Sequence, residues 1–272
     1  AYSEGELPEL SLYEARLTFS NWIEVGEALD NGTLGIGEKP SGDGSEAHPY
    51  QISTPEQLAW FSYRVWKFNG TDGAICGDLT NDIDLTGETY GGTTENPLGW
   101  IPIGRNCGIN VVRQEYKGKF GENHERIYRI SNMNIYGTNS VSRYAGLFGT
   151  CSGDASIRRI GIESGSLIGC VMGGIVGAIK DNVKVEECYN KVFVNYISDN
   201  YHDIGGIVGM ASGNCVIKNC FSLGGVDGGS TRESYAGGIV GASSKSVPII
   251  NCYSGLGTLR CSNSLGAITS SA

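Results

Sequence analysis

Apolar residues in the second half of the chain fall into short runs, and the runs repeat. Four segments align: Ala145-Gly146-Leu147-Phe148-Gly149, Gly173-Gly174-Ile175-Val176-Gly177, Gly205-Gly206-Ile207-Val208-Gly209 and Gly237-Gly238-Ile239-Val240-Gly241. Their last glycines stand 28, 32 and 32 residues apart, and a fifth copy begins at Gly266-Ala267-Ile268. A second motif follows: Val185-Glu186-Glu187-Cys188-Tyr189-Asn190 corresponds to Ile217-Lys218-Asn219-Cys220-Phe221-Ser222 and Ile249-Ile250-Asn251-Cys252-Tyr253-Ser254. In the first copy it is reduced to Ile157-Arg158-Arg159-Ile160-Gly161-Ile162. A weaker third run, such as Val192-Phe193-Val194-Asn195-Tyr196-Ile197, closes each repeat. Three short β-branched runs divided by Gly, Asn, Ser and Asp are strand and turn chemistry, not helix chemistry. Runs this short cannot bury an apolar face alone, so each repeat must be covered by the next. Three runs per coil of about 30 residues predict an all-β, three-sided parallel β-helix, with three strands per coil and about 4.8 Å between coils.

That geometry assigns structural roles by spacing. Cys188, Cys220 and Cys252 are 32 residues apart and should stack inside the coil as a ladder of small buried thiols. Asn219 and Asn251 should stack likewise, bonding amide to amide along the axis. Gly174, Gly206 and Gly238 should either supply positive φ at corners or let neighbouring turns pack closely.

Residues 75–136 fit earlier, irregular coils. The alternation in Asn81-Asp82-Ile83-Asp84-Leu85, then Ile101-Pro102-Ile103-Gly104 and the stretch 127–135, read as strands; 88–98 and 105–114 read as inserted loops. Before them, residues 53–70 form the best helix pattern. Thr54 suits the N-cap, Pro55 the first helical position, and Gln57 completes a capping box. Leu58, Phe61, Val65 and Phe68 repeat at helical spacing, and Asn69-Gly70 stops the helix. Such a helix can plug an open β-helix end, whose bare strand edges would otherwise aggregate. The pattern over 12–29 is partly helical but weakened by Thr18, Ser20 and Gly26, and 32–44 is loop-like. The organisation predicted is 1–45, acidic and irregular or partly helical; 46–74, a capping-helix region; and 75–272, a solenoid with its clearest repeats at 144–272.

Charge sharpens this division. The net charge is −9 over 272 residues, and residues 1–60 carry all of it, with eleven acids against two bases. The solenoid is neutral, which argues against a nucleic-acid surface or a polybasic membrane anchor. No run of 18 apolar residues is present to span a membrane, and no signal-peptide pattern opens the chain. The 42 glycines lack a Gly-X-Y period, which excludes collagen. Nine cysteines cannot all pair within one chain; there is no CxxC, and His48, His124 and His202 are far apart. No metal cage or other cofactor is expected.

Several of these motifs together resemble GLUG-motif proteins. They are Gly42-Asp43-Gly44-Ser45 with the stretch 49–58, the segment 79–85, Trp100-Ile101-Pro102-Ile103-Gly104, and the Gly-Gly-Ile-Val-Gly repeats. The resemblance covers about residues 40–272. It implies a right-handed, pectin-lyase-like β-helix in a secreted or surface-exposed bacterial protein. Modules of this kind are similar to adhesin repeats and to non-catalytic regions of immunoglobulin A-cleaving metallopeptidases. The resemblance transfers no catalytic residues.

The residues themselves display no catalytic set. His124-Glu125-Arg126-Ile127-Tyr128 lacks the second histidine of HExxH and leads into a strand, so it reads as a loop. No GxSxG elbow or phosphate loop occurs. Asp82 and Asp84 point the same way from a strand and could bond turn amides, bind calcium or serve catalysis. Glu186 and Glu187 read as a solvated corner. Tyr90, Tyr116, Tyr136, Tyr196 and Tyr201, in or near proposed loops, are the aromatic candidates for ligand contact. The expected function is a non-catalytic surface module that binds a host or cell-wall glycan or protein through the β-helix face and loops. The alternatives are a polysaccharide lyase or hydrolase on the same fold, and a passive spacer. The broken fifth repeat predicts dimerisation or flanking domains in a longer native chain.

Overall fold

The structure, a computed structural model, describes residues 19–33, 35, 37–67, 74–86, 99–105, 114–136, 143–196, 201–229, 233–243, 247–255, 257–261, 264–266 and 268–271. The chain winds into a parallel β-helix. Five parallel sheets run along its axis: one of seven strands, one of six and three of five. One coil shows the plan. Ser156–Arg158 lies in the seven-stranded sheet, Ile160–Ile162 in the six-stranded sheet, and Gly165–Gly169, Val171–Gly173 and Val176–Ile179 in the three five-stranded sheets. Equivalent residues stack in register, as Ile157, Val185, Ile217 and Ile249 do on four successive coils.

From Lys119 onward each coil thus carries five short strands instead of three, because two of the three apolar runs bend. The first run folds at its Gly-Gly pair, giving Val171–Gly173 and Val176–Ile179. The second is broken by one left-handed residue, with φ of 54° at Arg159, 55° at Glu187, 54° at Asn219 and 52° at Asn251. A single αL residue turns an extended chain sharply, so the two halves cannot share one strand.

Cys188, Cys220 and Cys252 follow that corner directly. Their Sγ atoms donate to Glu186 O (3.2 Å), Lys218 O (3.3 Å) and Ile250 O (3.4 Å) respectively. Ile160 fills the same position one coil earlier. Cys188 and Cys220 are buried and Cys252 is half-buried; all three are free thiols. Asn251 donates through Nδ2 to Asn219 Oδ1 at 3.3 Å, on the exposed side of the corner. Gly174, Gly206 and Gly238 have no positive φ. They serve close packing: a Cβ on Gly174 would lie 2.6 Å from Gly206 O, and one on Gly206 would lie 2.2 Å from Gly238 O.

Two helices close the N-terminal end. Helix α1, Trp22–Asp30, is capped by Asn21, whose side chain accepts from Glu24 N at 3.2 Å. Helix α2, Pro55–Lys67, is capped by Thr54, whose Oγ1 accepts from Gln57 N at 3.3 Å. The return bond of the box falls one residue earlier than expected: Gln57 Oε1 accepts from Ser53 N at 2.8 Å, not from Thr54. Phe68, Asn69 and Gly70 lie outside the described residues. Gly26 in α1 is what permits the helix crossing, since a Cβ there would sit 2.3 Å from Ala59 O. Phe61 of α2 points into the coil against Phe120 (5.4 Å) and Tyr116 (6.0 Å), and both of those rings touch Phe148. Tyr50–Ile52 adds the terminal strand of the seven-stranded sheet.

Candidate functional site: a charged cleft on the seven-stranded face

On the seven-stranded sheet Phe120, Ile157 and Val185 point inward in register, so their neighbours point out. Lys119, Ser156 and Lys184 form one outward row; Arg158 and Glu186 form the next. With Glu46, Asp78, Glu122, Asn123, Asp154 and Asn182 they line a cleft of about 650 Å³. Its lining holds five carboxylates and three cations.

Arg158 is the hub. It meets Glu122 at 2.9 Å, Glu186 at 3.3 Å and Glu187 at 3.1 Å, tying three coils together. Glu186 and Glu187 are therefore half-buried ion-pair partners, not a solvated corner. Lys119 pairs with Glu46 at 2.7 Å, and Asn123 donates through Nδ2 to Asp78 at 2.9 Å. Lys184 is exposed and has no ion-pair partner among the described residues. One rim is a second side-chain ladder: Asn182 donates to Asp154 at 3.0 Å and Asn214 to Asn182 at 3.4 Å. It stands beside stacked left-handed residues, Gly153, Asp181 and Gly213. The doublets Gly153-Asp154, Asp181-Asn182 and Gly213-Asn214, spaced by 28 and 32 residues, are the sequence signal that could have revealed it.

The electrostatics suit binding more than proton transfer. Burial pushes the Glu122 carboxyl up, but hydrogen bonds from Ser156 and Arg158 outweigh it and hold the pKa below the usual range. The hydrogen bond from Arg159 holds Glu187 down. The carboxyls of Asp30, Asp43, Asp82, Glu122, Glu163 and Glu187 are all displaced downward. Burial raises the Cys76 thiol at the cleft floor, the reverse of what a nucleophile needs.

The other candidates are committed elsewhere. Asp82 pairs with Arg126 (2.7 Å) and Arg129 (3.0 Å) and accepts from Arg129 N. Asp84 accepts from Asn132 Nδ2 at 2.7 Å and from Thr86 N at 3.0 Å. Both acids fasten one coil to the next. His124 lies in a loop, its Nδ1 2.7 Å from Arg126 O and its ring against Tyr128. Among the described residues no group of three or more His, Cys, Asp or Glu could hold a metal, and no helix is long and apolar enough to cross a membrane. Of the tyrosines, Tyr116 is buried in the core, Tyr196 packs against His202 at 5.3 Å, and Tyr136 is exposed. Tyr90 and the side chain of Tyr201 lie outside the described residues. Of the repeat-motif aromatics Tyr189 is buried, Phe221 half-buried and Tyr253 exposed.

No protein-family signature matches the chain, and no curated protein matches it. Among solved structures, a putative immunoglobulin A1 protease from Bacteroides ovatus is similar, with a TM-score of 0.56 and 21% identity, over 85% of this chain and 74% of that one. At that identity the likeness is one of fold.

Proposed function

We propose that the chain is a non-catalytic, extracellular ligand-binding module of a bacterial surface protein, and that its charged cleft takes a protein segment. The observation that carries this is the fixed array of both charge signs on the seven-stranded face. Arg158 and its three carboxylates are held in place before any ligand arrives, which lowers the ordering penalty of binding. Lys184, and Lys218 one coil further along, remain available to a ligand carboxylate. No aromatic ring lines the cleft among the described residues, so it offers a sugar ring no stacking surface. A polysaccharide hydrolase would need one carboxyl kept protonated near neutral pH beside a second carboxylate. The downward displacement of Glu122 and Glu187 runs against that need.

The test is an array of host-matrix proteins and glycans probed with the intact chain at low and high salt. The expected result is a protein ligand whose affinity falls about tenfold or more at 0.5 M salt, as exposed charge pairs are screened. The double variant Lys184→Glu, Lys218→Glu should weaken it similarly without changing the melting temperature. Binding indifferent to both changes would overturn the proposal, and so would turnover of a glycan. A chain that bound nothing on the array would favour the spacer alternative.

A further inference from the structure

We infer that the cleft selects its segment by an arginine side chain, seated on the carboxylate of Asp78, and by an acidic residue four positions away that meets Lys184. The inference rests on the protein-segment reading of the cleft and adds the chemistry of the segment. Of the five cleft carboxylates Asp78 alone is buried, with 3% of its surface exposed. Taking a carboxylate out of water is unfavourable unless a cation or several donors compensate it. Among the described residues Asp78 is bonded by one neutral neighbour. The backbone N–H of Asn123 donates to its Oδ1 at 3.3 Å, and Asn123 Nδ2 donates to its Oδ2 at 2.9 Å. Two of the three cleft cations are committed to other acids: Lys119 holds Glu46, and Arg158 holds Glu122, Glu186 and Glu187. Between Asp78 and Arg158 in the outward column the intervening coil carries Gly121, which has no side chain to pair with either. Asp78 therefore has no counter-ion among the described residues. Each of its oxygens accepts one bond and keeps a further acceptor position.

Lys184 is the opposite surplus, exposed and without an ion-pair partner among the described residues. It lies three strands further along the same sheet, since Gly77 pairs with Phe120, Phe120 with Ile157 and Ile157 with Val185. At about 4.8 Å per strand the two charges stand about 14 Å apart along the axis. That is too far for them to pair with each other, but one ligand can meet both. An extended chain advances about 3.4 Å per residue, and its alternate side chains share a face. Residues i and i+4 of an extended segment therefore project on one side, also about 14 Å apart. The two unfilled acceptor positions of Asp78 suit the forked N–H groups of a guanidinium better than the point charge of an ammonium. A bound calcium ion would need about six to eight oxygen ligands. Among the described residues no group of three or more His, Cys, Asp or Glu could hold a metal, so an organic cation fits the site better.

Calorimetric titration of the intact chain with two blocked glycine-serine peptides, carrying arginine four residues before or after glutamate, tests the inference. At least one should bind at millimolar concentration or below. Replacing its arginine by citrulline, which is neutral and of nearly the same shape, should weaken it about tenfold or more, a comparison that needs no altered protein. Asp78→Asn should lower the affinity for the arginine peptide to that for the citrulline one. Asn123→Ala removes the Nδ2 donor, keeps the charge and should retain binding. Lys184→Glu, or moving the glutamate next to the arginine, should each cost about threefold, as for an exposed pair. Binding by neither peptide, equal affinity for arginine and citrulline, or full affinity in Asp78→Asn would overturn the inference. Equal loss in Asp78→Asn and Asn123→Ala would make Asp78 a brace for its neighbouring loop and overturn it too. The reading of the cleft is judged separately on the protein array. A protein ligand sensitive to salt and to Lys184→Glu, Lys218→Glu but indifferent to Asp78→Asn would leave that reading standing and this inference overturned.

Discussion

The corner between the seven- and six-stranded sheets is built twice with charges and twice with amides. Arg159 and Glu187 hold the left-handed conformation in the earlier coils; Asn219 and Asn251 hold it in the later ones. For a long side chain that conformation costs about 1–2 kcal/mol, whereas Asn adopts it more readily. The earlier coils offset the strain from outside the residue, through the 2.6 Å Arg159–Glu187 pair and the Arg158 hub. The later coils place a tolerant residue at the corner and need less from its surroundings. The fold dictates a turn at that position, and sequence is free to satisfy it in more than one way.

The severest way to break the comparison is to remove what both halves share. Gly206→Ala drives a methyl group against the backbone carbonyl of the next coil and should cost about 3 kcal/mol or more, enough to prevent folding at 37 °C. Gly153→Ala, with φ of 65° but open space around it, should cost only about 1 kcal/mol. Urea denaturation midpoints separate the two.

A smaller effect distinguishes the two corner chemistries. Glu187→Ala should destabilise by about 1–2 kcal/mol, with much of the loss disappearing in 1 M salt. Asn219→Ala should lose about 1 kcal/mol at any salt concentration, because its loss is conformational. Equal salt dependence in the two variants would erase the distinction.

Acid sharpens the same contrast. Glu122 and Glu187 have folded pKa values below their ordinary 4.5. The stability they contribute is complete above that value and is lost as pH falls through the lower folded one. Among the described residues no carboxylate bonds to the corner at Asn219 or Asn251. Amide exchange protection should therefore fall more in residues 119–190 than in 216–254 between pH 6 and pH 3. The subtlest difference is within the thiol column. Cys252, half-buried, should react with a bulky thiol reagent before the buried Cys220; each thiol is raised by its neighbour in the column, so access alone sets the order. Reversed order would place the open side of the column at its other end.

Much of the fold was legible because the β-helix writes itself into spacing. Residues 32 apart in the chain are neighbours in space, so Cys188, Cys220 and Cys252 could be stacked on paper. The five-stranded coil was not legible. Its extra bend rests on left-handed φ at Arg159 and Glu187, two residue types with no preference for it. The α2 cap was readable down to Thr54 and Pro55, since capping is local chemistry. The cleft was not, because the Arg158 hub joins residues 28–36 positions apart with no shared motif. Phe221 and Tyr253 were hidden differently. They sit inside the repeat pattern, and the inward course of the neighbouring cysteines puts them on the outer face of the sheet, Phe221 half-buried and Tyr253 exposed.

The five short ladders in each coil also set how the molecule would bear load. A pull along the axis acts along the inter-coil hydrogen bonds, and the five sheets share the strain of one coil before any gives way. Coils would then part singly. Each step would release about 30 residues, or roughly 100 Å of extended chain. A protein anchored at one end and gripping its ligand at the other would lengthen in even increments under tension, keeping its hold while successive coils yield.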